Sequence, residues 1–140
     1  MQYLDHERLD VYHAAVELVL LAEEVVERLP QGRGYLADQL RRASTSVPLN
    51  IAEGAGEYAI AEKGRFYRMA KRSAMECASI IEICRRLRLI EEKQHGKLRE
   101  TLIRIAAMLT KMAQGASVPV PVVPVDVPMP LPSSRTPQGE

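Results

Sequence analysis

Seven of the nine prolines in this 140-residue chain fall within its last 25 residues, and that partition constrains the fold more than any other feature. Proline donates no backbone hydrogen bond and biases the residue before it towards extended angles. The run Val118-Pro119-Val120-Pro121-Val122-Val123-Pro124 and its continuation to Pro132 can therefore form neither a helix nor a central strand. Residues 116–140 are expected to be a disordered Pro-rich tail of polyproline-II character, either a free appendage or a segment that docks on a partner. Residues 1–115, which hold only Pro30 and Pro48, are left to build the folded unit.

Within that unit apolar residues recur at alternating steps of four and three, the repeat of a single helix face. Val11, Ala15, Leu18, Ala22, Val25 and Leu29 mark a first helix, closed by Pro30, Gly32 and Gly34. Leu36, Leu40, Ala43, Val47, Asn50 and Gly54 mark a second. Pro48 lies inside it and predicts a kink rather than a stop, because Ile51 and Ala52 continue the pattern. Phe66, Ala70, Ser73, Cys77, Ile80, Cys84 and Leu87 mark the third and longest, and Leu98, Leu102, Ile105, Leu109 and Met112 a fourth that ends before Gly115. Helices joined by links of a few residues pack as antiparallel neighbours. The expected fold is all-α, an antiparallel up-down-up-down four-helix bundle over residues 1–115.

Composition narrows the function classes. The chain is too short for two ordinary domains, and with 19 Lys and Arg against 18 Asp and Glu it is too nearly neutral for a histone-like polyanion binder. It contains no apolar run of about 18 residues that would span a bilayer, and Met1 to Arg8 lack the basic-then-apolar pattern of a secretion signal, so a cytoplasmic setting is expected. Cys77 and Cys84 stand about 10 Å apart along one helix, beyond the reach of a mutual disulfide, and read as small buried apolar residues. Glu92 and His95 have the Glu-x-x-His spacing of di-iron bundles, but that chemistry needs a second copy and further glutamates. His6, Asp10 and His13 share a face of the first helix without convergent help. No phosphate loop, nucleophile elbow or zinc spacing occurs. The expectation is a protein with no catalytic residue, metal, cofactor or small-molecule substrate.

Two surfaces stand out instead. On the first helix Leu20 points away from the seam and Val16 lies well round the side, with Glu17 and Glu24 on the same outer half. A helix that is apolar nearly all the way round suggests contact with another copy of the chain, so Val16, Glu17, Leu20 and Glu24 are candidate oligomer-interface residues. Charge is also unevenly placed: seven acids and two bases between Asp5 and Leu29 give −5, while eleven bases and six acids between Arg33 and Arg88 give +5. Arg41 and Arg42 on helix two, with Arg65, Arg68, Lys71, Arg72 and Arg86 on helix three, form a basic wall that is a candidate surface for RNA, DNA or a nucleic-acid-handling protein. It has no interleaved stacking aromatics, Phe66 and Tyr67 being assigned to the core. The same acidic and basic walls would equally join copies head to tail in a protein-only assembly scaffold, or remain a solvated face with intrahelical ion pairs.

The segment from Gln39 to Gly54 departs from plain bundle patterning. Asn50 falls in the apolar seam with Glu53 one turn on, and Ser73 falls in the seam of helix three with Glu76 beside it. Buried polar groups left unpaired cost about 1–3 kcal/mol each, so Asn50, Glu53, Ser73 and Glu76 are expected to form a satisfied network that fixes the pairing of helices two and three. A ligand pocket is the alternative reading.

This segment resembles the signature of the bacterial four-helix bundle family associated with intervening sequences in large-subunit ribosomal RNA genes. The shared features are Gln39-Leu40-Arg41-Arg42-Ala43, then Ser46-Val47-Pro48-Leu49-Asn50-Ile51-Ala52-Glu53-Gly54, then Phe66, Ala70, Ser73 and Glu76. The resemblance runs from about Val11 to Gly115 and implies an up-down bundle and ring-like homo-oligomers, with a pentamer as one candidate. It implies no settled activity. A looser likeness, to the accessory proteins of diversity-generating retroelements, implies pentameric barrels that bind a reverse transcriptase and nucleic acid. Two departures change the charge beside the signature: Arg72 stands where the family often has a small residue, and Gly56-Glu57 where it often has Gly-Arg.

Overall fold

The computed structural model of the chain describes residues 2–117, so the Pro-rich segment expected to be a disordered tail lies outside the described residues from Val118 onward. A 3-10 turn over Asp5–Arg8 leads into α1 (Asp10–Arg28), followed by α2 (Gly34–Ala55), α3 (Ile60–Arg86) and α4 (Glu92–Ser117). α1 packs on α2 and α4, and α3 on the same two, so the four surround one shared core. The links at 29–33, 56–59 and 87–91 are too short to carry the chain back along the bundle. Side-chain pairings follow the same geometry. Ser46 meets Ser73 and Gly54 meets Tyr67 along α2 and α3, while Asp10 lies near Arg104 and Arg28 near Lys93 along α1 and α4. Partners descend one helix as they ascend the other.

Leu18, Leu40, Ile51, Ile81, Leu98, Leu102, Ile105 and Leu109 are fully enclosed and fill the core. The predicted seam of α3 needs a correction. Its buried residues include Tyr67, Ala74 and Ile81, whereas Phe66 and Ser73 are half-buried and Leu87 is exposed. The stripes 66-70-73-77-80-84 and 67-70-74-77-81-84 share Ala70, Cys77 and Cys84, so periodicity alone does not choose between them. Contact with the neighbouring helices does. α4 also runs past Gly115, where the sequence reading ended it: an isolated glycine weakens a helix by about 1 kcal/mol without terminating it.

α2 passes through Pro48, whose ring removes the N–H that the Ser44 carbonyl would otherwise accept. Side chains bond back onto the helix around this point. Thr45 Oγ1 donates to the carbonyls of Arg41 (2.8 Å) and Arg42 (3.2 Å), and Asn50 Nδ2 donates to the carbonyl of Ser46 (2.9 Å). At the end of α2, Lys63 Nζ reaches across from α3 and donates to the carbonyls of Gly54 and Ala55 at 2.9 and 3.1 Å, a cationic cap on the negative helix terminus. α3 closes differently: the Leu89 amide bonds to the Cys84 carbonyl at 2.8 Å over Arg88, which takes a left-handed φ of 61° where glycine is usual.

α2 and α3 approach each other closely at Gly54. A β-carbon there would stand 2.7 Å from Cε1 of the buried Tyr67 ring and 3.1 Å from Cβ of Phe66. Gly54→Ala gains helix propensity of about 1 kcal/mol, but overpacking a closed contact costs about 1–3 kcal/mol. The variant is expected to unfold at lower urea than the parent with an unchanged m-value. Equal or higher stability would mean that the Tyr67 ring swings aside at no cost.

Candidate nucleic-acid interface

The polar signature residues lie at the surface seam between α2 and α3. Asn50 Nδ2 donates to Ser46 Oγ at 2.9 Å as well as to the Ser46 carbonyl, and Ser73 Oγ donates to Ser46 Oγ across the helix pair at 2.9 Å. Asn50 and Ser73 therefore do meet, through Ser46, which the sequence reading passed over. All three are half-buried, not sealed in the core. Glu53 and Glu76 stand outside this network: both are exposed and neither bonds to it. The expectation that Glu53 turns inward fails for a geometric reason. Three residues advance a helix by about 300°, which carries Glu53 from the margin occupied by Asn50 further out towards solvent.

Above the Ser46–Ser73 bond lies an open cleft of about 520 Å³ lined by Arg42, Ala43, Thr45, Ser46, Leu49, Asn50, Ser73 and Glu76. Small side chains at Ala43, Ser46 and Ser73 leave this space between the helices. Leu49 stands at its edge, 64% exposed.

The structure separates the seven candidate cations into two groups. Arg41 donates to both oxygens of Glu23 on α1, at 3.3 Å from Nε and 2.9 Å from Nη2, which holds that carboxyl below its ordinary pKa. Arg65 bonds to Glu62 and lies over the Phe66 ring, 4.6 Å from its centroid. Arg86 bonds to Glu82 at 2.8 Å. Arg42, Arg68, Lys71 and Arg72, by contrast, form no ion pair among the described residues. Spacing explains much of this division. Arg65 and Arg86 follow a glutamate by three and four residues, the favourable helical order, whereas Arg72 precedes Glu76 by four and follows Arg68 by four.

Glu82 anchors the other end of α3. Its carboxylate accepts from Arg85 Nε and Nη2 at 3.0 and 2.7 Å and from Arg86 Nε, and it faces His95 Nε2 of α4 at 3.2 Å. His95, in the first turns of α4, is thereby largely covered. On α1, His13 Nε2 lies 2.8 Å from the Glu7 carbonyl and His6 packs edge-on to Tyr12, so His6, Asp10 and His13 do not converge. Among the described residues no group of three or more His, Cys, Asp or Glu could hold a metal ion. Cys77 and Cys84 are free, buried thiols, and burial pushes the Cys77 thiol up to about 12. On the remaining candidate surface Leu20 is 62% exposed, Glu17 and Glu24 are exposed and Val16 is half-buried.

These features define a small helical bundle with a polar cleft between α2 and α3 and four cations on those two helices that form no ion pair among the described residues. The chain belongs to the 23S rRNA-intervening sequence protein family, whose model matches residues 7–111. No curated protein matches it. Among solved structures, a protein of unknown function from the S23 ribosomal protein family of Bacteroides thetaiotaomicron has the same fold, with a TM-score of 0.69 at 19% identity over 74% of this chain and 98% of that one. No helix among the described residues is long and apolar enough to cross a membrane.

Hydrogen bonds from Arg85 and Arg86 hold the Glu82 carboxyl down to about 2. A carboxyl whose pKa is depressed by folding stabilises the native state above its ordinary range, and that contribution is lost as the pH falls towards the depressed value. Between pH 5 and about 2 the parent is therefore expected to lose stability more steeply than Glu82→Gln, as followed by urea midpoints across that range. Parallel acid limbs would show that the cluster has no net effect.

Proposed function

We propose that this protein is a noncatalytic, cytoplasmic homo-oligomeric bundle, of which a pentamer is one candidate form, that binds nucleic acid or a nucleic-acid-handling partner through the α2–α3 face. The observation that carries the reading is the set Arg42, Arg68, Lys71 and Arg72, four cations of α2 and α3 that form no ion pair among the described residues. Like charges left unpaired create a positive potential that attracts polyanions. The printed family name, which refers to a ribosomal RNA, lies in the same direction. Arg41, Arg65 and Arg86, tied to carboxylates, take a secondary part.

The rival reading is an assembly scaffold without nucleic acid. The apolar residues Met75 and Ile83, exposed on α3, and Leu87, exposed just past its end, favour it. Salt dependence separates the two. A phosphate-binding face loses affinity steeply between about 50 and 200 mM salt, and each phosphate contact removed flattens the log–log slope by about 1. Arg68→Gln with Arg72→Gln is expected to weaken binding to RNA or DNA in a gel-shift titration and to flatten that slope by about 2. A parent that gives no shift at low salt supports the scaffold.

Self-association rests on the outer face of α1. Leu20 presents an apolar side chain beside Glu17 and Glu24 with no internal partner surface. Light scattering at micromolar concentration is expected to give a multiple of the chain mass for the parent and a lower mass for Leu20→Glu. A single-chain particle for the parent removes the oligomer from the proposal.

A further inference from the structure

We propose that the α2–α3 cleft is a pocket for an unpaired base carrying an exocyclic amino group, with the adjoining cations on the phosphates of the same strand. This rests on the nucleic-acid reading above and specifies its ligand as single-stranded. The starting point is the hydrogen-bonding capacity that the cleft leaves open. Asn50 uses both amide hydrogens on Ser46, so its Oδ1 remains an acceptor without a partner among the described residues. The Ser46 and Ser73 hydroxyls hold two hydrogens and share one bond, so one O–H remains a donor. The cleft therefore offers an acceptor and a donor side by side on a rigid helical frame. A nucleobase edge presents that same alternation.

The rim has a polarity of its own. Glu76 lines one side with no ion pair among the described residues, while Arg42 lines the opposite, α2 side, also unpaired. A carboxylate in a nucleic-acid site repels phosphate and accepts from an amino group, as Asp and Glu do from cytosine N4. Arg42 supplies either a phosphate contact or a planar guanidinium on which a base stacks, and the exposed Leu49 supplies an apolar surface for the ring face. The volume of about 520 Å³ lies within the range of small-ligand clefts. An amino group and its neighbouring ring nitrogen are engaged when a base is paired, and the deep, narrow major groove of duplex RNA does not admit side chains. Only an unpaired base offers its amino group together with the neighbouring ring nitrogen to a cleft between two helices.

The test uses the full chain with short oligo(C), oligo(U) and a C·G duplex, as RNA and as DNA, titrated by fluorescence anisotropy at low and moderate salt. Oligo(C) is expected to bind about tenfold more tightly than oligo(U), in line with one directed base contact, and more tightly than the duplex. RNA and DNA arms of similar affinity assign the contact to the base, whereas a preference for RNA adds the 2′-hydroxyl. Glu76→Gln, an exposed position with no bond to lose, is expected to raise affinity for both oligomers by removing a negative charge, while bringing the C-to-U ratio towards one. Leu49→Ala is expected to weaken single strands and leave the duplex unchanged. Equal binding of oligo(C), oligo(U) and duplex, with the salt slope intact, overturns the base pocket and leaves the phosphate-binding face standing. Absence of any salt-sensitive binding overturns both.

Discussion

The bundle depends on how closely α2 and α3 approach one another. At Gly54 only a hydrogen atom fits beneath the Tyr67 ring, and about two turns away along α2, Ser46 and Ser73 are near enough to share a hydroxyl hydrogen bond at 2.9 Å. Neither contact survives a larger side chain on the α2 side. The close approach has two consequences. It buries Tyr67, Ala70 and Ala74 against α2, and it places the small residues Ala43, Ser46 and Ser73 where a cleft opens to solvent. The signature segment is thus one structural device with a packed side and a wet side.

Electrostatics follow from helical spacing more than from net charge. The +5 balance between Arg33 and Arg88 spreads over eleven cations, several of which are neutralised by a carboxylate three or four residues before them. What distinguishes Arg68 and Arg72 is the absence of such a glutamate and the presence of each other. Two like charges four apart on a helix destabilise it slightly, and neither arginine has an ion pair among the described residues to offset that cost. A polyanion would. Arg41 shows the opposite case: its partner Glu23 comes from α1, and no reading of α2 by itself reveals the pair.

Likeness to known proteins bears on architecture more than on activity. The family match over residues 7–111 covers the bundle except the end of α4, and the Bacteroides structure, at 19% identity, shares the fold alone. At that divergence the exposed positions are free to differ. Conclusions about the basic face and the cleft therefore stand on the residues of this chain: four unpaired cations, an unpaired Glu76, and the open valences of Ser46, Ser73 and Asn50.

The four helices of the described residues, their limits to within a few residues, and the surface position of Leu20 were all legible in the linear pattern. Each is set by local stereochemistry or by the 3.6-residue period. The period also left genuine ambiguities. It placed Phe66 and Ser73 in the seam of α3 and passed over Ala74, because the two candidate stripes share Ala70, Cys77 and Cys84, and it turned Asn50 and Glu53 too far inwards. It indicated two charged walls but not which arginines would find a carboxylate across a helix boundary. Those matters are decided by the rotation of each helix about its axis. That rotation is set only when four faces pack together, with Gly54 against Tyr67 as the tightest contact observed between α2 and α3.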